Sequence, residues 1–308
     1  MSQPWSPPPD LYPFDSHWLQ RPAGRMHYLD EGPADAPPVL MLHGNPTWSF
    51  YYRKLVLGLR GTHRCIVPDH LGCGLSDKPP ASAYDYRLAS RIDDLDTLIR
   101  HVAPDRPLTL VVHDWGGMIG FAWAVRNPHR IARLVILNTA AFPLPEDKPM
   151  PWALSLVRNT RLGAWLVLRM NAFAGSAARV AFKKPVDPRV RSAYVGPYDT
   201  PANRIATLRF VQDIPLAESD PGFDILTETA EHLGQFADRP CLIAWGGRDF
   251  VFDRSFLRRW REIYPHARLE SLDDCGHYVL EDGGEGLVRT LCDFIDVKDD
   301  SNHGHNGE

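Results

Sequence analysis

The sequence lacks the features that mark disulfide-rich, metal-binding, nucleic-acid-binding and membrane-spanning proteins. Its five cysteines are scattered and odd in number, which argues against a disulfide framework and a zinc site. The net charge is −4 and no basic block stands out, so no nucleic-acid partner is expected. No apolar run is long enough to cross a bilayer, and residues 1–10 carry no secretory signal. We therefore expect a cytoplasmic protein with a small, apolar ligand.

Length and hydrophobic content indicate one large core. At 308 residues with 44% hydrophobic side chains, the chain is long enough for one core that carries an inserted subdomain. Residues 298–308 include no apolar residue, and we expect them to form a disordered tail.

Short apolar runs alternate with segments of helical periodicity through most of the chain. Residues 39–42 and 241–245 are continuously apolar, and residues 108–112 are apolar except for Thr109, as expected of strands covered on both faces. Residues 86–101 instead carry apolar side chains at helical spacing. This alternation predicts an α/β fold with a mostly parallel sheet and helices on both faces.

The alternation stops between residues 142 and 232, where prolines separate unusually apolar helical segments. We predict a helical cap at 142–232, inserted into a core formed by 1–141 and 233–297. The cap has more apolar side chains than packing on a sheet needs, Trp152 and Trp165 among them. An apolar pocket between cap and sheet is therefore expected.

An acid ends one of the apolar runs and is followed by a tryptophan and two glycines. Asp114, Trp115, Gly116 and Gly117 match a nucleophile elbow, in which a strand turns sharply into a helix and exposes the residue at its tip. Taken alone, Asp114 is explained equally well as a helix cap or a turn residue. The rest of the chain has to decide between these interpretations.

Two further residues follow in the order that a catalytic triad of this fold requires. Asp249 comes after the run at 241–245, and His277 after the next expected strand. A carboxylate such as Asp114 displaces a leaving group from a saturated carbon and leaves an alkyl ester. His277, oriented by Asp249, is then placed to activate water against that ester. Asn45 and Trp115 lie where backbone amides form an oxyanion site.

One glycine-rich loop is a competing candidate. Residues 72–76 read Gly-Cys-Gly-Leu-Ser, which superficially resembles a phosphate loop or a serine elbow. The segment has neither the Gly-x-Ser-x-Gly order nor the Gly-Lys-Ser/Thr of a phosphate-binding loop, so we interpret it as structural.

At these residues the chain resembles the α/β-hydrolase superfamily, and within it the haloalkane dehalogenase-like group with an aspartate nucleophile. The similarity covers roughly residues 15–297, and its motifs lie at 43–47, 69–79, 113–117 and 276–278. The resemblance implies that Asp114 is the nucleophile, His277 the base and Asp249 the third triad member. It also implies that the side chains of Asn45 and Trp115 donate to the leaving anion.

Within this group the chain most resembles the β-lactone decarboxylases of bacterial olefin biosynthesis. One dehalogenase branch carries its acid as a Glu where this chain has Asn138, so the resemblance assigns the acid to Asp249. It implies a cis-3-alkyl-4-alkyloxetan-2-one substrate that loses carbon dioxide to give a cis-alkene, without cofactor or metal. It also implies the other olefin-biosynthesis enzymes as partners in a large soluble assembly.

Three alternatives stay open at the level of sequence. A haloalkane dehalogenase uses the same residues and is the main alternative. An epoxide hydrolase would need cap tyrosines, for which Tyr194 and Tyr198 are candidates. The third alternative is a non-catalytic receptor for an apolar ligand, which the intact set of Asp114, Asp249 and His277 disfavours.

Overall fold

Eight strands form one sheet in the part of the chain that the computed structural model describes, residues 5–103, 105–145 and 147–297. Their spatial order is β1-β2-β4-β3-β5-β6-β7-β8. The strand β2 is antiparallel to both of its neighbours, β1 and β4, and all the other neighbouring pairs are parallel. The strands are β1 (His17–Arg21), β2 (Gly24–Glu31), β3 (Pro38–Leu42), β4 (Arg64–Pro68), β5 (Leu108–Asp114), β6 (Ile131–Thr139), β7 (Cys241–Gly246) and β8 (Arg268–Leu272).

Helices cover both faces of this sheet and fill the connection between β6 and β7. They are α1 (Arg53–Leu59), α2 (Leu88–Val102), α3 (Trp115–Arg126), α4 (Trp152–Asn159), α5 (Arg161–Met170), α6 (Ala172–Val180), α7 (Pro188–Val195), α8 (Ile205–Gln212), α9 (Phe223–His232), α10 (Arg254–Ile263), α11 (Val279–Asp282) and α12 (Gly284–Asp296). Single 3₁₀ turns lie at Ser49–Tyr52, Pro128–Arg130, Gly196–Tyr198, Ala202–Arg204 and Leu233–Phe236.

The central strand β5 shows why the apolar runs are continuous. All seven of its residues are buried. Leu110 and Val112 pack with α2 and α3 on one face, while Val111 packs with α1 and α12 on the other. Because both faces need apolar side chains, the alternation expected of a half-exposed strand is absent. The predicted α/β fold is confirmed.

The five helices α4 to α8 lie between β6 and β7, within the predicted cap at 142–232. The helix α9 also falls in that range, but it contacts α3 of the sheet layer. The exact division into core and cap stays a prediction. The predicted disordered tail at 298–308 lies outside the described residues.

Candidate active site

Asp114 sits at the sharp turn between β5 and α3. Its backbone adopts φ 50° and ψ −127°, a conformation that L-residues rarely occupy and that is often found at functional sites. Two glycines make the turn possible. A methyl group on Gly116 would overlap the Leu42 carbonyl, and one on Gly117 would overlap the Thr139 side chain. The Thr139 hydroxyl also donates to the Asp114 carbonyl, which ties the elbow to β6.

The Asp114 carboxylate is held from the neighbouring strand end. Since β3 lies directly beside β5, the loop after β3 reaches over the elbow, and the Asn45 amide donates to Oδ1 at 2.6 Å. Gly44 leaves the space that the carboxylate fills. Burial raises the pKa of Asp114, and nearby His277 together with the backbone amides of Asn45 and Trp115 offsets part of that rise.

His277 and Asp249 reach the same place from the ends of β8 and β7. His277 Nδ1 lies 2.7 Å from Asp249 Oδ2, and its Nε2 lies 3.7 Å from Asp114 Oδ2. Burial alone would lower the pKa of His277, but the charge and hydrogen bond of Asp249 and the charge of Asp114 outweigh it, and the net pKa is raised. The imidazole is therefore biased towards its cationic form, beside a carboxylate.

Asn45 and Trp115 both border the space in front of Asp114, but their side chains make different contacts within the protein. Asn45 Nδ2 donates to the Thr207 carbonyl of α8 at 3.0 Å, which leaves one of its two N–H groups for a ligand. Trp115 packs against Phe210 with ring centroids 5.1 Å apart. Their predicted role as donors to a leaving anion stays a prediction.

A cavity of about 380 Å³ lies between the sheet edge and the cap, and Asp114 and His277 form part of its wall. Apart from these two, Asn45, Lys148 and Ser176, its lining consists of apolar and aromatic side chains. Trp152 is part of that lining. Trp165, the other cap tryptophan singled out in the sequence, is 52% exposed on α5 and does not line the cavity.

Three comparisons with known proteins agree with this geometry. A family model described as the alpha/beta hydrolase fold matches residues 37–284. A cis-3-alkyl-4-alkyloxetan-2-one decarboxylase of Shewanella oneidensis is 53% identical over 286 residues, 92% of this chain and 89% of that protein. The protein of the same name from Xanthomonas campestris is 51% identical over 281 residues, 90% of this chain and 94% of its own length.

A solved structure of haloalkane dehalogenase DbeA from Bradyrhizobium elkani superposes with a TM-score of 0.81. It is 27% identical in sequence, and the match covers 92% of this chain and 97% of the other. The chain belongs to the α/β-hydrolase family. The resemblance drawn from the motifs is confirmed at the level of family and relatives.

Sequence reasoning missed the part that Asn138 takes in this α/β-hydrolase site. Its Nδ2 donates to Asp249 Oδ2 at 3.0 Å and to the Gly246 carbonyl at 3.1 Å, while its Oδ1 accepts from the Gly246 amide at 2.8 Å. The Val251 amide holds the other oxygen of Asp249 at 2.8 Å. Asn138 is thus a positioning residue for the acid. An amide directly after the apolar run at 134–137 was the available signal.

The cap tyrosines do not face the cavity. Tyr194 is fully buried and donates to Glu281 at 2.7 Å, while Tyr198 is buried with its hydroxyl 3.5 Å from the Thr47 carbonyl. Neither side chain lines the cavity in front of Asp114. The arrangement therefore offers no tyrosine acid for an epoxide oxygen.

The glycine-rich loop at 72–76 takes a structural position. Asp69 Oδ2 accepts from the Leu75 amide at 2.8 Å, and the Ser76 hydroxyl donates to the Asp69 carbonyl at 2.6 Å. Within residues 5–103, 105–145 and 147–297, no group of three or more histidines, cysteines or carboxylates is placed to hold a metal ion. No helix in these ranges is long and apolar enough to span a membrane.

Proposed function

We propose that this α/β-hydrolase is a decarboxylase of cis-3-alkyl-4-alkyloxetan-2-ones, which it converts to cis-alkenes and carbon dioxide. The observation that carries the proposal is the Asp114 carboxylate, buried at the elbow, held at Oδ1 by the Asn45 amide and facing an apolar cavity. Relatives of that name at 53% and 51% identity, against 27% for the dehalogenase structure, support the choice of substrate.

The first chemical step uses the geometry of the carboxylate. The backbone amide of Asn45 fixes Oδ1. Oδ2 therefore attacks the saturated ring carbon that is bonded to the ring oxygen. A carbon–oxygen bond to the enzyme forms, the ring carbon–oxygen bond breaks, and its electron pair stays on the released substrate carboxylate. Trp115 and the second N–H of the Asn45 side-chain amide lie beside this cavity and are the candidate donors to that anion.

The second step returns the electron pair to Asp114. The bond between the substrate carboxylate and the adjacent ring carbon breaks, its pair forms the carbon–carbon double bond, and the enzyme carboxylate departs. Inversion in the first step followed by anti departure in the second gives a cis-alkene from a cis-lactone. No water and no proton is consumed. Cationic His277, 3.7 Å from Oδ2, stabilises the departing carboxylate by its charge.

The apolar lining fits the two alkyl chains of such a substrate. Each buried methylene contributes about 0.8 kcal/mol of transfer free energy. Phe142, Leu154, Leu156 and Phe173 are among the side chains that provide this surface. Binding energy from the chains then serves to place the small polar ring against Asp114.

Haloalkane dehalogenase activity is the second candidate, because Asn45 and Trp115 flank the nucleophile where a halide would leave. In that reaction His277 would act as a neutral base and deliver water to the ester. The relatives at 53% and 51% identity, both named as decarboxylases, favour the first candidate.

A product assay separates the two. Purified protein is incubated with a cis-dialkyl β-lactone and, separately, with 1-bromoalkanes. We expect cis-alkene from the lactone, detected by gas chromatography, and no bromide release. Rapid bromide release without any alkene would contradict the proposal. Unchanged lactone that stays tightly bound after long incubation would instead indicate a receptor.

The proposed activity also bears on the ligand, the cellular location and the partners of the protein. A small apolar substrate is consistent with the cavity. That the enzyme is cytoplasmic and assembles with the enzymes that make its lactone stays a prediction from the resemblance.

A further inference from the structure

Residues 152–186, which include α4, α5 and α6 and are called the cap surface below, have an unusual charge composition. They contain six cationic side chains and no aspartate or glutamate, whereas the whole chain has a net charge of −4. The six cations are Arg158, Arg161, Arg169, Arg179, Lys183 and Lys184. Positive charge is thus concentrated on one part of an acidic protein.

Four of the six cations, Lys183 among them, have no acidic side-chain partner among the described residues. Arg158 pairs with Asp220 at 2.7 Å and Lys184 with Asp274 at 3.0 Å. Arg161, Arg169 and Arg179 are exposed, and the described residues include no ion-pair partner for them. Their charges are available to an anionic surface outside the protein.

Large apolar side chains are exposed between these cations. Trp152 is 80%, Met170 64% and Leu162 58% exposed, and Trp165 lies beside Leu162 on the same face of α5. No residue of α4 is buried. Leu154, Leu156 and Val157 of α4 line the cavity, so the apolar surface that α4 presents to solvent comes mainly from Trp152.

The exposed apolar side chains also reach the substrate cavity. Trp152, Val180 and Phe250 are exposed and line the cavity at the same time. The wall of the cavity is therefore one helix thick at α4. A ligand that crosses this wall passes directly between the cap surface and Asp114.

We propose that the cap surface docks on an anionic lipid bilayer, from which the cavity takes up its apolar ligand. Exposed Trp and Leu side chains flanked by arginines are the composition of interfacial membrane-binding helices. Unpaired arginines complement the negative surface of such a bilayer. A second copy of the chain is a poor occupant, because two cap surfaces would bring like charges together. The docking does not depend on the reaction proposed above.

Vesicle flotation with the full chain tests the docking. The probes are vesicles of equal parts phosphatidylcholine and phosphatidylglycerol, and vesicles of phosphatidylcholine alone. We expect binding to the anionic vesicles, weakened by high salt, and at least about tenfold weaker binding without phosphatidylglycerol. Equal binding to both vesicles, or to neither, would overturn the proposal.

Two double variants outside the cavity lining locate the surface. Leu162→Gln with Trp165→Gln removes apolar contact, and its matched control is Trp18→Gln with Leu57→Gln, which alters equally large exposed side chains elsewhere. We expect at least about tenfold weaker vesicle binding for the first double variant, and unchanged binding for the control. Equal loss in both pairs would contradict the proposed location.

The charge variants stay informative even if the apolar pair fails to fold. Arg161→Glu with Arg169→Glu is compared with Arg261→Glu with Arg289→Glu, which makes the same charge change on exposed residues outside the cap surface. At least about tenfold weaker binding is expected for the cap pair alone. Equally weakened vesicle binding in both double variants would show an effect of net charge alone. A dimer in solution that is disrupted only by the cap variant would identify a second copy of the chain as the occupant. Either result overturns the proposal.

Discussion

The sheet edge that carries Asp114 and the cap surface that faces outward are built in opposite ways. At the edge, hydrogen bonds hold Asp114 Oδ1, both oxygens of Asp249 and His277 Nδ1, and Gly44, Gly116 and Gly117 pack so tightly that an added methyl would overlap a neighbour. On the cap, no residue of α4 is fully buried, and a methyl group on Gly175 of α6 would contact no neighbouring atom.

The difference indicates that the sheet edge serves the chemical reaction and the cap serves ligand uptake. Stabilising charge in a reaction requires groups that are already in place, and tight packing provides them. Admitting a bulky apolar ligand requires a wall that can move, and no residue of α4, which forms part of that wall, is fully buried. We therefore expect substitutions at the edge to affect turnover or folding, and those on the cap to affect uptake.

The largest effect is expected from Asp114→Ala. Without the carboxylate no bond to the substrate forms, and kcat should fall at least about 10⁴-fold. Turnover of the β-lactone is the measurement. The control Asp224→Ala removes an exposed carboxylate of α9 and should retain full activity. A folded Asp114→Ala protein with more than a hundredth of the activity would rule out the nucleophile.

Asp249→Asn should lower kcat by about 10²- to 10³-fold and shift its pH dependence. Asp249 and Asp114 raise the pKa of His277, so cationic His277 is lost only as the pH rises through that raised value. If the cation is the active form, wild-type kcat falls on the alkaline side. The variant loses the raising charge, so its fall begins at lower pH.

Kcat that rises with pH through the same range would contradict the cationic role of His277. It would indicate a neutral imidazole that activates water, as hydrolysis of an alkyl ester requires.

A pair of identical substitutions compares the packing of the two regions directly. Gly117→Ala places a methyl against Thr139, and we expect it to lower the free energy of unfolding by about 1–3 kcal/mol. Gly175→Ala fills open space within a helix, and we expect a gain of about 0.5–1 kcal/mol. Denaturant unfolding measures both values. Equal losses would show that the cap is packed as tightly as the edge.

The smallest effect is expected from Trp152→Ala. This side chain is largely exposed, so the free energy of unfolding should change by about 0.5 kcal/mol or less. Because it also lines the cavity, KM for long-chain lactones should rise a few-fold while kcat stays unchanged. A large fall in kcat instead would mean that the cap takes part in the chemistry.

The order of elements and the triad were predictable from sequence for a physical reason. Strands buried on both faces are almost entirely apolar, so residues 108–112 stood out. A parallel sheet also brings the ends of its strands to one edge. Asp114, Asp249 and His277 could therefore be grouped without any structure. Their distances confirm that grouping in space.

Side-chain partners and exposure were not predictable, because they depend on how distant segments pack. Asn138 was interpreted only as a missing acid, whereas it holds Asp249. The outward direction of Trp165 depends on how α5 rotates against α4 and α8, which its composition does not fix. The contact between the Asn45 side chain and the Thr207 carbonyl likewise joins residues 162 positions apart.

The fate of a solvent oxygen tests the central claim most directly. The enzyme turns over a cis-β-lactone many times in ¹⁸O-water, and the peptide that contains Asp114 is then examined by mass spectrometry. Our account predicts cis-alkene and an unlabelled Asp114, since the carboxylate leaves with its own two oxygens. Labelled Asp114 together with a β-hydroxy acid product would show that water cleaves an enzyme ester, and would contradict the proposed decarboxylation.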